Sequence, residues 1–287
     1  MPEERLTKND RRDAAREQAR LAREKQKRQE SLRRWLIPTS VTVVVLAIVA
    51  VVVLVVSTSA PAPQSANGPK NMISDGILLT GSGGKMVATK TGGVQASSTP
   101  TPNALANDGV AHIVSYVDFS CPACQAFEAT NAAAIQQMVE QGTATIEVHP
   151  IAILDSHFTV GSRYSSRANN VGACVANFAP DSFYSVMEAM YTGQGTEQTA
   201  GLSNSQMISI VHNAGLRNTD VDKCINGETF KSWVAAATVR ATTGPLPNTT
   251  VANVTGTPTV LVNGQQYSGS LTDASAFQTF VQQVLAS

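Results

Sequence analysis

Hydrophobic positions fall into three regimes along the chain. Residues 1–34 are dense in charge with few apolar side chains, residues 36–56 carry no charge, and beyond residue 71 the apolar positions become periodic. The uncharged span is 21 residues, long enough to cross about 30 Å of hydrocarbon as a helix. Trp35 heads it at an interfacial position, and the basic flank predicts a cytoplasmic N-terminus with everything after it extracytoplasmic. A cleaved signal peptide competes, but the run exceeds a signal core, and Pro61 and Pro63 crowd the small-residue site at 57–62. The pattern therefore predicts a basic cytoplasmic segment over 1–34, a single transmembrane anchor over 35–57 and a tether rich in Ser, Ala and Pro over 58–71.

Further along, runs at 77–80 and 86–89 around Gly81, Ser82, Gly83 and Gly84 predict a hairpin. With the Ser/Thr/Pro-rich stretch behind it, the hairpin makes a unit over 72–108, followed by the main domain over 109–287. That domain opens with a buried-strand run at 112–119 and continues into a helix. Phe127, Ala134, Ile135, Met138 and Val139 form the helix's stripe, and Gly142 follows its end. A second strand spans 144–149. Two more, 259–262 and 265–267, flank an Asn263-Gly264 turn, and a last helix capped near Thr272 or Asp273 carries Phe277, Phe280, Val281 and Val284. Between the second and third strands an insertion at about 159–245 reads as helical. Its four stripes begin at Val171, Phe183, Met207 and Phe230, with Met187 and Met190 as core. Strands and helices in this order specify an α/β fold.

Composition narrows the function. At 43% apolar and 15% charged the chain is not generally disordered, and its net charge of zero is unevenly distributed. Residues 1–34 hold twelve basic against seven acidic side chains, while the remainder holds nine against fourteen. An acidic exported region with 5% aromatic residues overall argues against nucleic acid as a partner. No Gly-rich phosphate loop, paired metal-ligand motif or Gly-x-Ser-x-Gly elbow is present, so neither cofactor nor metal is expected.

The chemistry concentrates at Ser120-Cys121-Pro122-Ala123-Cys124, where a strand runs into a helix. A Cys-x-x-Cys there puts the sulfurs one turn apart and the first at the helix N-terminus, whose free N–H groups and dipole stabilise a thiolate. Cys121 is the expected nucleophile, Pro122 pre-sets the first turn, and Cys124 is the expected resolving thiol. Two bland alternatives are half of a zinc site and a purely structural disulfide. The first lacks paired partner ligands and the second closes too small a loop to stabilise much. Gly256-Thr257-Pro258-Thr259 precedes the third strand, and its proline marks a turn or a cis bond. Cys174, on an apolar stripe, and Cys224, expected to begin the last helical region of the insertion, form a structural disulfide or remain two buried thiols; an oxidising compartment favours the disulfide.

The segment from Phe119 to Cys124, together with that from Gly256 to Gly264, resembles the DsbA-like branch of the thioredoxin superfamily. The anchored form with a basic tail resembles the oxidative-folding members of high-GC Gram-positive bacteria. The resemblance covers roughly 72–287 and implies a thioredoxin-like fold with a helical insertion, preceded by the transmembrane helix. It implies a redox-active Cys121–Cys124 disulfide with a cis Pro258 against it. Substrate then lies along Thr257, Pro122 and Ala123, and Cys174 pairs with Cys224. The activity implied is disulfide formation in unfolded exported cysteine-containing proteins, with reoxidation by a quinone-linked membrane partner. A reductase or isomerase of the same fold, or a redox-inert tethered binding or chaperone module, is the alternative. Two departures bear on proton handling and potential. Many relatives carry a buried acid six residues before the first cysteine, where this chain has Ser115, and strand alternation points nearby Asp118 to the opposite face. The strongest oxidants have His where this chain has Ala123.

Overall fold

A computed structural model of the chain describes residues 67–287 together with Arg20, Glu24, Lys25 and Lys27, these four helical and exposed. The chain divides into two compact units, residues 1–60 and 61–287. The expected anchor at 35–57 lies outside the described residues, among which no helix is long and apolar enough to cross a membrane.

Among the described residues the chain forms six strands: β1 (Ile77–Ser82), β2 (Lys85–Ala88), β3 (Ala111–Val117), β4 (Ala144–Pro150), β5 (Thr259–Val262) and β6 (Gln265–Gln266), of which β3, β4 and β5 are the apolar runs and β6 two exposed glutamines held by the turn before them. They form one sheet in the order β2-β1-β4-β3-β5-β6. Only β3 and β4 run parallel, because the helix between them, α1 (Pro122–Glu140), supplies the crossover that a parallel pair needs. Both hairpins turn on two residues with positive φ: Gly83 and Gly84 at +58° and +72°, Asn263 and Gly264 at +46° and +79°. That combination matches the strand twist and suits glycine and asparagine.

The insertion contains α2 (Tyr164–Phe178), α3 (Phe183–Thr192), α4 (Asn204–Asn213), α5 (Thr219–Gly227) and α6 (Lys231–Thr243); α7 (Ala274–Leu285) closes the chain, capped by Asp273. α1 crosses β1, β2 and β4, and α7 lies against β3 beside it. Phe127 of α1 and Phe277 of α7 meet edge to face at 5.3 Å. The helices of the insertion pack on α1 through α3, with Met187 and Met190 fully buried, and on one another through α2. On the other side of the sheet Tyr116, Ile151, Ala241, Leu246, Val254 and Leu261 form a smaller core.

Several expectations change. The hairpin expected as a unit over 72–108 is an edge of the main sheet, since β1 pairs with β4. The tether expected over 58–71 is already fixed by residue 68. The Gly68 N–H donates to the Val94 carbonyl at 2.7 Å, and Asn71 donates to the Ala176 carbonyl at 2.8 Å. Strand β3 stops at Val117 rather than 119, because Asp118 folds into a turn that receives the Cys121 N–H at 2.9 Å. Cys224 does not begin the last helix; it sits inside α5, a short helix capped by Asn218 whose acidic first turn hides its apolar stripe from a periodicity count.

Candidate active site

Cys121 is the N-cap of α1 and Pro122 its first residue, so the chain leaves the end of β3 and turns at once into a helix. That geometry aims the N–H groups of Ala123 and Cys124 at the Cys121 sulfur. Both cysteines are free thiols; Cys121 is 5% exposed, Cys124 fully buried, Pro122 exposed and Ala123 half-buried. Opposite them, the Thr257-Pro258 peptide is cis, and the Cys121 thiol donates to the Thr257 carbonyl at 3.2 Å across 136 residues of sequence. Thr257 lies before the ladder, which begins at Thr259.

The two thiols are electrostatically unlike. A hydrogen bond from the Cys124 thiol, helped by the Thr257 hydroxyl and the two helix N–H groups, outweighs burial and pulls Cys121 from 9.0 down to about 6. Burial, then the donated bond to Cys121 and its charge, push Cys124 well above the ordinary thiol value. One sulfur is thus a thiolate at neutral pH and its neighbour one turn deeper a thiol, an asymmetry suited to one attacking or leaving sulfur and one resolving sulfur.

Asp118 corrects the expectation from strand alternation. Because β3 has ended, its carboxylate turns inward and accepts six hydrogen bonds. These come from the Ser120 N–H and hydroxyl, the N–H groups of Ile153 and Leu154, the Ser165 hydroxyl and the Asn169 amide. Burial pushes its carboxyl up while these bonds pull the other way. Asp118 thereby ties the strand end to α2 directly beneath the cysteines. Ser115, six residues before Cys121, is fully buried on the α1 side of the sheet with a hydroxyl that has no partner.

Cys174 on α2 and Cys224 on α5 are disulfide-bonded, with Cα atoms 5.8 Å apart. The bridge lies within the helical layer, outside the Cys121, Cys124 and Thr257 cluster.

Residues 106–283 match the family model described as thioredoxin. The chain belongs to the thioredoxin family. No curated protein matches its sequence. Among solved structures it is similar to the reduced disulfide bond oxidoreductase DsbG of Mycobacterium tuberculosis, with 23% identity over 74% of this chain and 88% of that one and a TM-score of 0.51. Reduced DsbA of the same organism matches at 24% identity over 74% and 93%, TM-score 0.50. Oxidised BdbD of Bacillus subtilis matches at 16% identity over 79% and 100%, TM-score 0.52. At such identities the likeness is one of fold, and the fold is that of DsbA-type proteins of the thioredoxin family.

Two features escaped the sequence. Asp118 follows the end of β3, where strand alternation no longer sets the direction of a side chain. Glu128, one turn beyond Cys124, is buried with both carboxyl oxygens unpartnered. Its signal was legible, since it shares the buried face of α1 with Phe127, Asn131 and Ile135, where a charge is out of place.

Proposed function

We propose that this chain is a membrane-anchored, extracytoplasmic thiol–disulfide oxidoreductase that passes a Cys121–Cys124 disulfide to exported proteins. The observation that carries this reading is the paired geometry of the thiols: Cys121 at a helix N-terminus, drawn down to about 6, with Cys124 buried behind it and the Thr257 carbonyl 3.2 Å in front. A substrate thiolate attacks the Cys121 sulfur, the bond to Cys124 breaks, and a mixed disulfide forms. A second substrate thiol releases the product disulfide, leaving the Cys121 thiolate as a good leaving group. The backbone at Thr257, lying ahead of the ladder, offers an extended substrate a strand-like partner that reads little side-chain sequence, with Pro122 and Ala123 bordering the same mouth.

A stabilised thiolate stabilises the dithiol state and so favours the oxidising direction over the reductase or isomerase alternative. Reoxidation then falls to a membrane electron acceptor, which we take to be quinone-linked. The similarity in fold to a disulfide bond oxidoreductase agrees with this chemistry. Refolding of a reduced, cysteine-paired exported substrate tests it: the wild-type chain accelerates disulfide formation and Cys121→Ala does not. Equal yields with both proteins refute the function. An equilibrium potential near about −270 mV rather than about −120 mV reverses the assigned direction.

A further inference from the structure

Disulfide exchange at this site moves a proton as well as electrons. When the Cys121–Cys124 bond opens, Cys124 leaves with the bonding electrons inside the protein, where it is fully buried and burial strongly disfavours its thiolate. It must gain a proton there, and lose one when the bond re-forms. The obvious groups cannot serve. Ser115 has a hydroxyl that does not titrate in this range, and the Asp118 carboxylate is occupied by six donors.

Glu128 lies four residues from Cys124 on the same face of α1. Neither of its carboxyl oxygens has a hydrogen-bond partner, an expensive arrangement for a buried acid. Facing it from α3 are Tyr184, Glu188 and Tyr191; the Tyr184 hydroxyl donates to the Ala132 carbonyl at 3.3 Å, while the Tyr191 hydroxyl is buried and unpartnered. Burial, then the charges of Cys124, Glu128, Asp118 and Cys121, push the Tyr191 phenol well above its ordinary value. A cavity of about 520 Å³ opening to solvent between α1 and α3 is lined by Gln125, Glu128, Glu188 and Tyr191.

We propose that Glu128 is the proton relay of Cys124, set one helical turn from it on the same buried face and open to solvent through the cavity between α1 and α3. This rests on the exchange chemistry proposed above. In the opening step the incoming thiolate forms a bond to the Cys121 sulfur and the Cys121–Cys124 bond breaks. The proton of Glu128 then passes to the Cys124 sulfur, and the carboxylate recovers a proton through the cavity. Closing runs in reverse: Cys124 gives its proton to the Glu128 carboxylate, attacks the Cys121 sulfur and expels the substrate thiolate. Burial, reinforced by the Glu188 charge, holds Glu128 at about 8, so it is mostly a proton donor at neutral pH and retains a carboxylate fraction to accept.

The test uses the reduced protein and the aryl disulfide dithiobis-nitrobenzoate. Attack by Cys121 releases one thionitrobenzoate, and attack by Cys124 on the mixed disulfide releases the second. In the wild type the second phase accelerates with pH through an inflection near 8. In Glu128→Gln the inflection is lost and the second phase slows about a hundredfold at pH 7, with the first phase unchanged. Glu128→Leu gives the same slow second phase together with a higher denaturation midpoint, which separates the effect from misfolding. A second phase that keeps the wild-type rate and inflection in either variant overturns the relay. A wild-type protein with no fast first phase at pH 7 overturns the exchange chemistry itself, and the relay with it.

Discussion

Thr257→Val removes one hydroxyl beside the Cys121 sulfur and leaves the side-chain volume nearly unchanged. In the native site the Cys124 thiol contributes most to lowering Cys121 from 9.0 to about 6, and the Thr257 side chain, whose buried hydroxyl has no other hydrogen-bond partner, adds to it. The full displacement corresponds to at most about 4 kcal/mol of preference for the thiolate, since solvent at the mouth of the site screens part of it. A hydrogen bond to a charged group is worth about 1.5 kcal/mol at the lower end of its range, so the substitution moves Cys121 upward by about one pH unit. The folded value lies below the unfolded one. The stability this contributes to the reduced protein is therefore complete above pH 9 and is lost as pH falls through 6. The redox couple responds in the same window. Below the Cys121 inflection two protons accompany two electrons and the potential falls by about 59 mV per pH unit; above it one proton remains and the slope halves to about 30 mV. The assays are the pH dependence of Cys121 alkylation and of the equilibrium potential against glutathione. The wild type should break near pH 6 in both, and Thr257→Val about one unit higher. A wild-type break near pH 9, or a break that does not move in the variant, refutes the account of the thiolate.

Two further outcomes test the frame around the site. Replacing Cys174 and Cys224 by Ala opens a bridge between residues 50 apart in sequence, and the denaturation free energy should fall by about 4 kcal/mol while Cys121 alkylation keeps its pH profile. Asp118→Ala strips the acceptor from six donors and should cost about 4 kcal/mol in urea unfolding; a loss under about 1 kcal/mol would show that the network does not hold the strand end to α2.

Much of this protein is written locally. The Cys-x-x-Cys at a strand-to-helix junction places Cys121 at a helix N-terminus whatever surrounds it, because the unsatisfied N–H groups belong to the helix itself. The Asn263-Gly264 turn and the Asp273 cap follow likewise from the conformational tastes of single residues. The stripes through Met187 and Phe277 declared their burial by period alone. Tertiary structure decided what depends on distant segments meeting. The Thr257 carbonyl reaches Cys121 across 136 residues, and Asp118 turns inward because donors from α2 and the 153–154 loop await it. The hairpin joins the sheet through β4, and Cys224 finds Cys174 from a helix that periodicity missed. Glu128 belongs to both kinds: the sequence set it one turn from Cys124, but only the packing of α3 over α1 buried its carboxyl without a hydrogen-bond partner. Propensity and period act over a few residues, whereas desolvation and hydrogen-bond partnership are properties of the assembled interior.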